Sequence, residues 1–217
     1  MKHMIDTVVV FARAPRLGTV KRRLARDIGH RAALRFHTAT MLHLLRDLLA
    51  EPRFRTVLAL TPDGAPDRLP VRVQRIAQGP GDIGARMARV CRRYRKGRVA
   101  IIGCDIPDAG AADVRAAFRA LGRAQAVFGP AKDGGYWLVA LGPRRPAQPF
   151  ANVRWSTRHA LADTLRNFKG GAVARLRVLR DVDTAQDLSD NYQGSTTLSG
   201  PEPERRRDAF TDAANEL

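Results

Sequence analysis

Residues Asp6–Leu24 read DTVVVFARAPRLGTVKRRL. The segment Thr7–Ala12 is apolar and β-branched, the pattern of a buried strand. It gives way to a Pro/Gly loop loaded with cations. In an open α/β sheet that junction is the place where a ligand sits, beyond the carboxyl end of a strand. Gly18 permits close backbone approach, and Pro15 stiffens the turn. A helix opening near Thr19 or Val20 turns its free N–H groups towards an anion. Lys21 adds a point charge, with Arg22 and Arg23 beside it. The spacing is not that of a GxxxxGK[ST] phosphate loop. An ordinary basic turn between strand and helix reads the same way, so the rest of the chain has to decide.

Outward from this junction, short β-branched runs alternate with longer helical patterns. Strands are expected at Thr7–Ala12, Thr56–Leu60, Val71–Ile76, Val99–Ile102, Ala126–Phe128 and Tyr136–Leu141. Helices are expected near Arg31–Ala50, Ile83–Arg95, Ala111–Leu121 and Arg158–Asn167, the last capped by Ser156 or Thr157. Leu34, Thr38, Met41, Leu42, Leu45, Leu48 and Leu49 recur at helical spacing in the first of them. The alternation predicts an α/β fold, Rossmann-like, with a mainly parallel central sheet flanked by helices.

The chain has 217 residues, 44% of them hydrophobic, which suits one domain. Residues 1–190 form that domain in this reading. Residues 191–217 are rich in Gly, Ser, Thr, Pro and charge, and read as a polar, flexible tail. No apolar stretch approaches the roughly 20 residues of a membrane span. Arg13 and Arg16 follow the first apolar run where a signal peptide has small residues. The two cysteines, Cys91 and Cys104, read as reduced thiols, so a cytoplasmic location is expected. The net charge of +17 favours anionic partners. Arg far outnumbers Lys and Ala is abundant, as GC-rich coding sequence produces, so much of this charge is expected on a solvated surface. Neither zinc-finger spacing nor an aromatic-studded RNA-binding strand accompanies it.

Four further motifs carry chemistry. In Gly103–Asp108 (GCDIPD), a carboxylate at the end of a buried strand is costly unless paired or metal-bound. Asp105 is assigned to a hard divalent cation. Asp108 is expected to cap the helix after Pro107. In Gly129–Trp137 (GPAKDGGYW), paired glycines before an aromatic strand mark either a turn or a close backbone approach by a ligand. Asp133, Gly134, Gly135 and Tyr136 are the substrate candidates there. In Asp181–Leu188 (DVDTAQDL), Thr184 and Asp187 form a box-like helix cap. One of Asp181 and Asp183 is left to face a metal. In Gln78–Met87 (QGPGDIGARM), Asp82 is expected to cap a helix whose Arg86 reaches a phosphate. Gly81 and its neighbours leave room for a base or sugar. His3, His30, His37, His43 and His159 are scattered, and none receives a catalytic role.

Taken in order, these motifs resemble the bacterial DUF2064 family, glycosyltransferase A-type transferases related to small nucleotidyltransferases. The family loop K-x-P-x-x-G-x-V-K-T-R-L matches at Pro15, Gly18, Val20, Lys21, Arg23 and Leu24, with Arg13 for its first Lys and Arg22 for its Thr. Q-x-x-G-D-L-G-x-R-M matches Gln78–Met87, and G-S-D-x-P-x matches Gly103–Asp108 with Cys104 for Ser. G-P-x-x-D-G-G-Y, W-S-T and D-V-D-T-x-x-D-L match Gly129–Tyr136, Trp155–Thr157 and Asp181–Leu188. The resemblance implies a nucleotide-diphospho-sugar transferase fold. It also implies Mg²⁺ or Mn²⁺ at Asp105, with Asp183 as a second ligand.

The expected activity is therefore metal-dependent transfer from an activated nucleotide, an NTP or an NDP-sugar, to a small-molecule acceptor. Pro15, Gly18, Thr19, Lys21, Arg23, Gln78, Gly81 and Arg86 are the expected nucleotide contacts. Lys21, Asp105 and Asp133 are the expected catalytic groups, with Asp133 as base for a hydroxyl acceptor. Asp133–Tyr136 and Trp155 are the expected acceptor side. The alternative is a non-catalytic nucleotide- or RNA-binding protein on the same fold, for which the +17 charge is the working feature. Carboxylates at strand ends disfavour it.

Overall fold

The computed structural model describes residues 5–66 and 69–196, the side chains of 192–196 excepted. Its elements are β1 (Asp6–Arg13), α1 (Leu24–Ile28), α2 (His30–Leu49), β2 (Phe54–Thr61), β3 (Gln74–Ala77), α3 (Ile83–Arg93), β4 (Val99–Gly103), α4 (Ala111–Ala120), β5 (Ala126–Pro130), β6 (Tyr136–Leu141), α5 (Ala160–Arg166), β7 (Val173–Arg175) and α6 (Ala185–Thr196). Seven strands form one sheet in the order β3-β2-β1-β4-β6-β5-β7. All neighbours are parallel except β6, which runs antiparallel to both β4 and β5.

β1 lies at the middle of the sheet because both of its faces are apolar. Val8, Val10 and Ala12 point to one side, where Met41, Leu44, Leu45 and Leu48 of α2 and Val114, Ala117 and Phe118 of α4 cover them. Val9 and Phe11 point to the other, against Met87, Val90 and Cys91 of α3 together with Phe150 and Phe168. Period-two alternation thus feeds two cores, one on each side of the sheet. Each fully buried Val or Leu contributes about 1.5–3 kcal/mol.

The reversed β6 matters for function. Pairing Ile102 with Leu138 and Pro130 with Tyr136, it starts at the edge where β4 and β5 end. The turn 131–135 therefore shares that edge with the loop after β1. The segment after β7 also returns to it: Lys132 N–H donates to Leu179 O at 3.1 Å, and Val182 N–H to Asp105 O at 3.5 Å.

Several expected boundaries shift. β3 begins at Gln74 rather than Val71, because its ladder with β2 starts at Val57–Gln74; Val71 and Val73 instead pack on the core from outside the strand. α5 begins at Ala160 with His159 at the cap position. Ser156 has φ 59°, a left-handed conformation, and does not cap α5; Thr157 stands just ahead of it, its Oγ1 accepting the His159 N–H at 3.2 Å and its carbonyl the Ala160 N–H at 3.1 Å. Asp108 does not cap α4. Asp47 of α2 accepts the Ala111 N–H at 2.6 Å, and Asp113 accepts that of Gly110 at 3.0 Å. The Thr184–Asp187 box is present, with Thr184 N–H donating to Asp187 Oδ2 at 2.9 Å and Asp187 N–H to Thr184 Oγ1 at 3.2 Å. α6 continues past residue 190 to Thr196; the rest of the expected tail lies outside the described residues. Among the described residues no helix is long and apolar enough to cross a membrane.

Candidate active site

A cleft of about 510 Å³ opens at the carboxyl ends of β1, β2 and β4. Its lining includes Thr19, Lys21, Arg22, Arg23, His37, Gln78, Arg86, Asp105 and Asp183. The loop after β1 shapes one wall. The Thr19 N–H and Oγ1–H both donate to Arg16 O, at 3.1 and 2.9 Å, which closes a tight turn around Gly18 at φ 76°. An added Cβ at Gly18 would meet nothing within 4 Å, so its left-handed backbone, and not close approach, calls for glycine. The helix that follows starts at Leu24 and is 5 residues long. The expected row of free helix N–H groups at Thr19 or Val20 is therefore absent. Side chains supply the positive charge instead.

Lys21 is the centre of the arrangement. Its backbone is left-handed, φ 44°, unusual for a residue other than glycine. That twist turns the side chain inward, where it is only 5% exposed. Nζ lies 3.4 Å from Asp105 Oδ1 and donates to Asp183 Oδ1 at 3.1 Å. Burial works to lower the Lys21 pKa, but the Asp105 and Asp183 carboxylates outweigh it and the net shift is upward. The ammonium is thus fixed between two carboxylates. Arg23, largely exposed, approaches Asp183 from outside at 3.7 Å. Asp181 stands behind: burial, then the Asp183 and Asp133 carboxylates, raise its pKa. Asp133 therefore belongs to the same acidic edge, though outside the cleft lining.

Gln78 is buried and ties the sheet together. Its Nε2 donates to Ala59 O at 2.7 Å and to Ala12 O at 3.2 Å, while Oε1 accepts from Arg86 at 3.3 Å. Arg86 is further held by Gly81 O at 2.9 Å, and Asp82 caps α3 through Ala85 N–H at 2.8 Å. Gln78 thus positions the arginine that faces the cleft.

The expected acceptor side is built differently. Asp133 Oδ1 accepts the Gly135 N–H at 2.8 Å, closing its own turn. A Cβ at Gly134, φ 87°, would run into the carbonyl of Arg158. Trp155 packs against Gly84 of α3, where a Cβ would lie 2.7 Å from the indole. Tyr136 meets Phe128 and Trp155 edge-on, accepts from Thr164 at 3.4 Å, and burial pushes its phenol pKa up. None of Gly134, Gly135, Tyr136 and Trp155 lines the cleft, nor do Pro15, Gly18 and Gly81.

One residue was missed in the sequence. His37, 3% exposed, projects from α2 beneath the end of β1, with Nε2 2.9 Å from Arg13 O and Nδ1 3.9 Å from Asp105 Oδ1. Burial, the largest cause, depresses its pKa. With Cys104 and Asp105 it forms a cluster whose potential ligand atoms lie within 4.8 Å of one another. Burial holds the Cys104 sulfur as a thiol, its pKa well above the usual range. Cys91 and Cys104 are both free. In the sequence His37 sits on the apolar stripe of its helix and reads as an ordinary core residue.

A family model, DUF2064, described as an uncharacterised protein conserved in bacteria, matches residues 44–157. The chain belongs to that family. The match includes Gln78, Arg86, Asp105, Asp133 and Trp155. No curated protein matches the DUF2064 chain. Solved structures do. A protein from Desulfovibrio desulfuricans G20, provisionally described as a nucleotide-diphospho-sugar transferase, is 25% identical, with a TM-score of 0.85 over 97% of this chain and 94% of that one. Rv0371c from Mycobacterium tuberculosis, solved with manganese, is 17% identical with a TM-score of 0.54, covering 86% of this chain and 97% of that one. The 4-diphosphocytidyl-2C-methyl-D-erythritol synthase of Anaerococcus prevotii is 9% identical with a TM-score of 0.56, over 88% and 98%. The last two establish the fold alone. This DUF2064 chain has the glycosyltransferase A-type, Rossmann-like architecture expected from its sequence.

Proposed function

We propose that this protein is a divalent-metal-dependent transferase that moves a group from an activated nucleotide to a small-molecule acceptor. The observation that carries the reading is the convergence of Asp105 and Asp183, far apart in sequence but on the same edge of the sheet, on the one ammonium of Lys21. Two carboxylates aimed at a single cationic point are the oxygen donor set that Mg²⁺ or Mn²⁺ requires. Their side chains are 55% and 39% exposed, which leaves phosphate oxygens access to the same point. Asp105 and Asp183 would hold the metal, which would supply positive charge against the phosphate of the leaving group.

The remaining roles fall to the chain. Lys21, whose ammonium would yield the point between the two carboxylates to the metal, donates to non-bridging phosphate oxygens. Arg23 and Arg86 flank the phosphates. Phe11, Ala12 and Gln78 floor the cleft and exclude water from below. Asp133 lies on the acceptor side and takes the proton of a hydroxyl acceptor; an anionic acceptor needs no base. Gly134, Gly135, Tyr136 and Trp155 serve this side by fixing the turn that carries Asp133. The Desulfovibrio likeness supports an NDP-sugar donor, and an NTP is the other activated nucleotide this cleft could take.

The test is a thermal-shift panel of NTPs and NDP-sugars with and without Mg²⁺ or Mn²⁺, on the wild type and Asp105→Asn. A ligand at 100 times its Kd adds about 2.7 kcal/mol, or roughly 5–10 °C for a chain of this size. A metal-dependent shift lost in Asp105→Asn is expected. An NTP giving it assigns nucleotidyl transfer, and an NDP-sugar assigns glycosyl transfer. No shift with any nucleotide overturns the reading and turns attention to metal-independent, salt-sensitive RNA binding.

A further inference from the structure

His37 presents an unusual electronic situation. A backbone carbonyl only accepts hydrogen bonds, so the contact between Nε2 and Arg13 O at 2.9 Å fixes the imidazole proton on Nε2. Nδ1 then carries a lone pair. It faces the cleft, and the atom opposite it is Asp105 Oδ1 at 3.9 Å, itself an acceptor. Both atoms offer lone pairs; Asp105 Oδ1 also has the Lys21 ammonium at 3.4 Å and the Cys104 thiol at 3.9 Å beside it. The ring cannot swing away, since the side chain is 3% exposed and held by its other nitrogen. A metal ion between Nδ1 and Oδ1 would be held by both lone pairs at once.

We propose that Nδ1 of His37 is a nitrogen ligand of the metal held at Asp105, and that it makes this site prefer a first-row transition dication over Mg²⁺. The inference rests on the metal site proposed above and adds a donor of a different kind. Metal–nitrogen and metal–oxygen bonds run at about 2.0–2.2 Å, so two ligands on one ion lie roughly 3–3.5 Å apart. Asp105, 55% exposed, has the freedom to close the remaining gap by a small rotation. A ligating imidazole that donates its other N–H to a backbone carbonyl is oriented and made more basic by that bond, and Arg13 O fills the role here. Magnesium favours an all-oxygen octahedron, whereas imidazole favours transition ions. Lys21, 3.4 Å from the same carboxylate oxygen, supplies the positive charge when no metal is bound.

The experiment uses the full chain stripped with chelator and Mn²⁺ alone as probe. Binding is followed by loss of the free-ion electron paramagnetic resonance signal, with Mg²⁺ measured by competition. Bound Mn²⁺ is expected to show ¹⁴N modulation in the electron spin echo and about tenfold tighter binding than Mg²⁺. His37→Gln, which keeps an N–H for the Arg13 carbonyl, should remove the modulation and most of the preference while leaving Mg²⁺ affinity within about twofold. Mn²⁺ bound in an Asp105-dependent manner without ¹⁴N modulation overturns the His37 ligand and leaves the proposed function standing. Mn²⁺ binding unchanged in Asp105→Asn, or no Mn²⁺ binding by the wild type, overturns both. The wild-type spectrum decides the matter even if His37→Gln fails to fold.

Discussion

The loop after β1 and the turn between β5 and β6 leave the same edge of the sheet, and each carries glycine, a lysine and a left-handed residue. In the turn, glycine itself takes the left-handed position, Gly134 at φ 87°, and one oxygen of Asp133 accepts the neighbouring Gly135 amide. In the loop, Gly18 takes one left-handed position at φ 76° but Lys21 takes a second at φ 44°, and its ammonium reaches 162 residues along the chain to Asp183. A fold that places unfavourable backbone on a long charged side chain, when a glycine would relax it, is using that side chain. The turn is built to hold shape and the loop to hold charge.

That contrast can be broken most forcefully at Gly134. In Gly134→Ala the new Cβ meets backbone at a positive φ, so a loss of about 3 kcal/mol is expected, near 10 °C in Tm by calorimetry. Nucleotide affinity of the folded fraction should hold. An unchanged Tm would show the turn to be loose, and the contrast false. Lys21→Met sharpens the other half. Nucleotide affinity by titration calorimetry should fall about 100-fold, as when a preorganised donor is removed. Metal binding should persist, because both carboxylates remain. Equal loss of metal and nucleotide would make Lys21 a scaffold residue. The smallest effect belongs to Asp163, which braces the segment beneath the turn. Hydrogen bonds from Arg154, then the Arg166 charge among weaker causes, hold its carboxyl well below the usual 3.8. Its folded pKa being depressed, its contribution is present above about pH 4 and fades as pH falls through the folded value. Asp163→Asn should flatten the acid limb of a Tm–pH profile between pH 4 and about 2, leaving the nucleotide response at pH 7 intact.

The difference also explains what the sequence disclosed. β1, β2, β4, β5 and β6 were legible because apolar runs that feed two cores have no other use. β7 was not: Val173–Arg175 is short, half-exposed and held by pairing with β5. The reversal of β6 was equally hidden, since its apolar run is the same in either direction. Asp105 was legible as a carboxylate at a strand end without a local partner; Asp181 and Asp183 were left as alternatives, and the family resemblance singled out Asp183. Asp108 misled because the cap it was expected to supply comes from Asp47, on a different helix. His37 was invisible because its importance lies in what stands 3.9 Å away, and helical periodicity reports only its burial.

The tie between Lys21 and Asp183 has a consequence for synthesis. Asp27, just past the loop, also accepts the Ala185 N–H at 3.0 Å, so the first helix is buckled to the start of the last. Residue 183 is also among the last described residues to be made. Until it is in place Lys21 has one counter-ion instead of two, and until Ala185 follows the clasp between α1 and α6 is open. The start of the chain thus depends on its far end to finish the cleft.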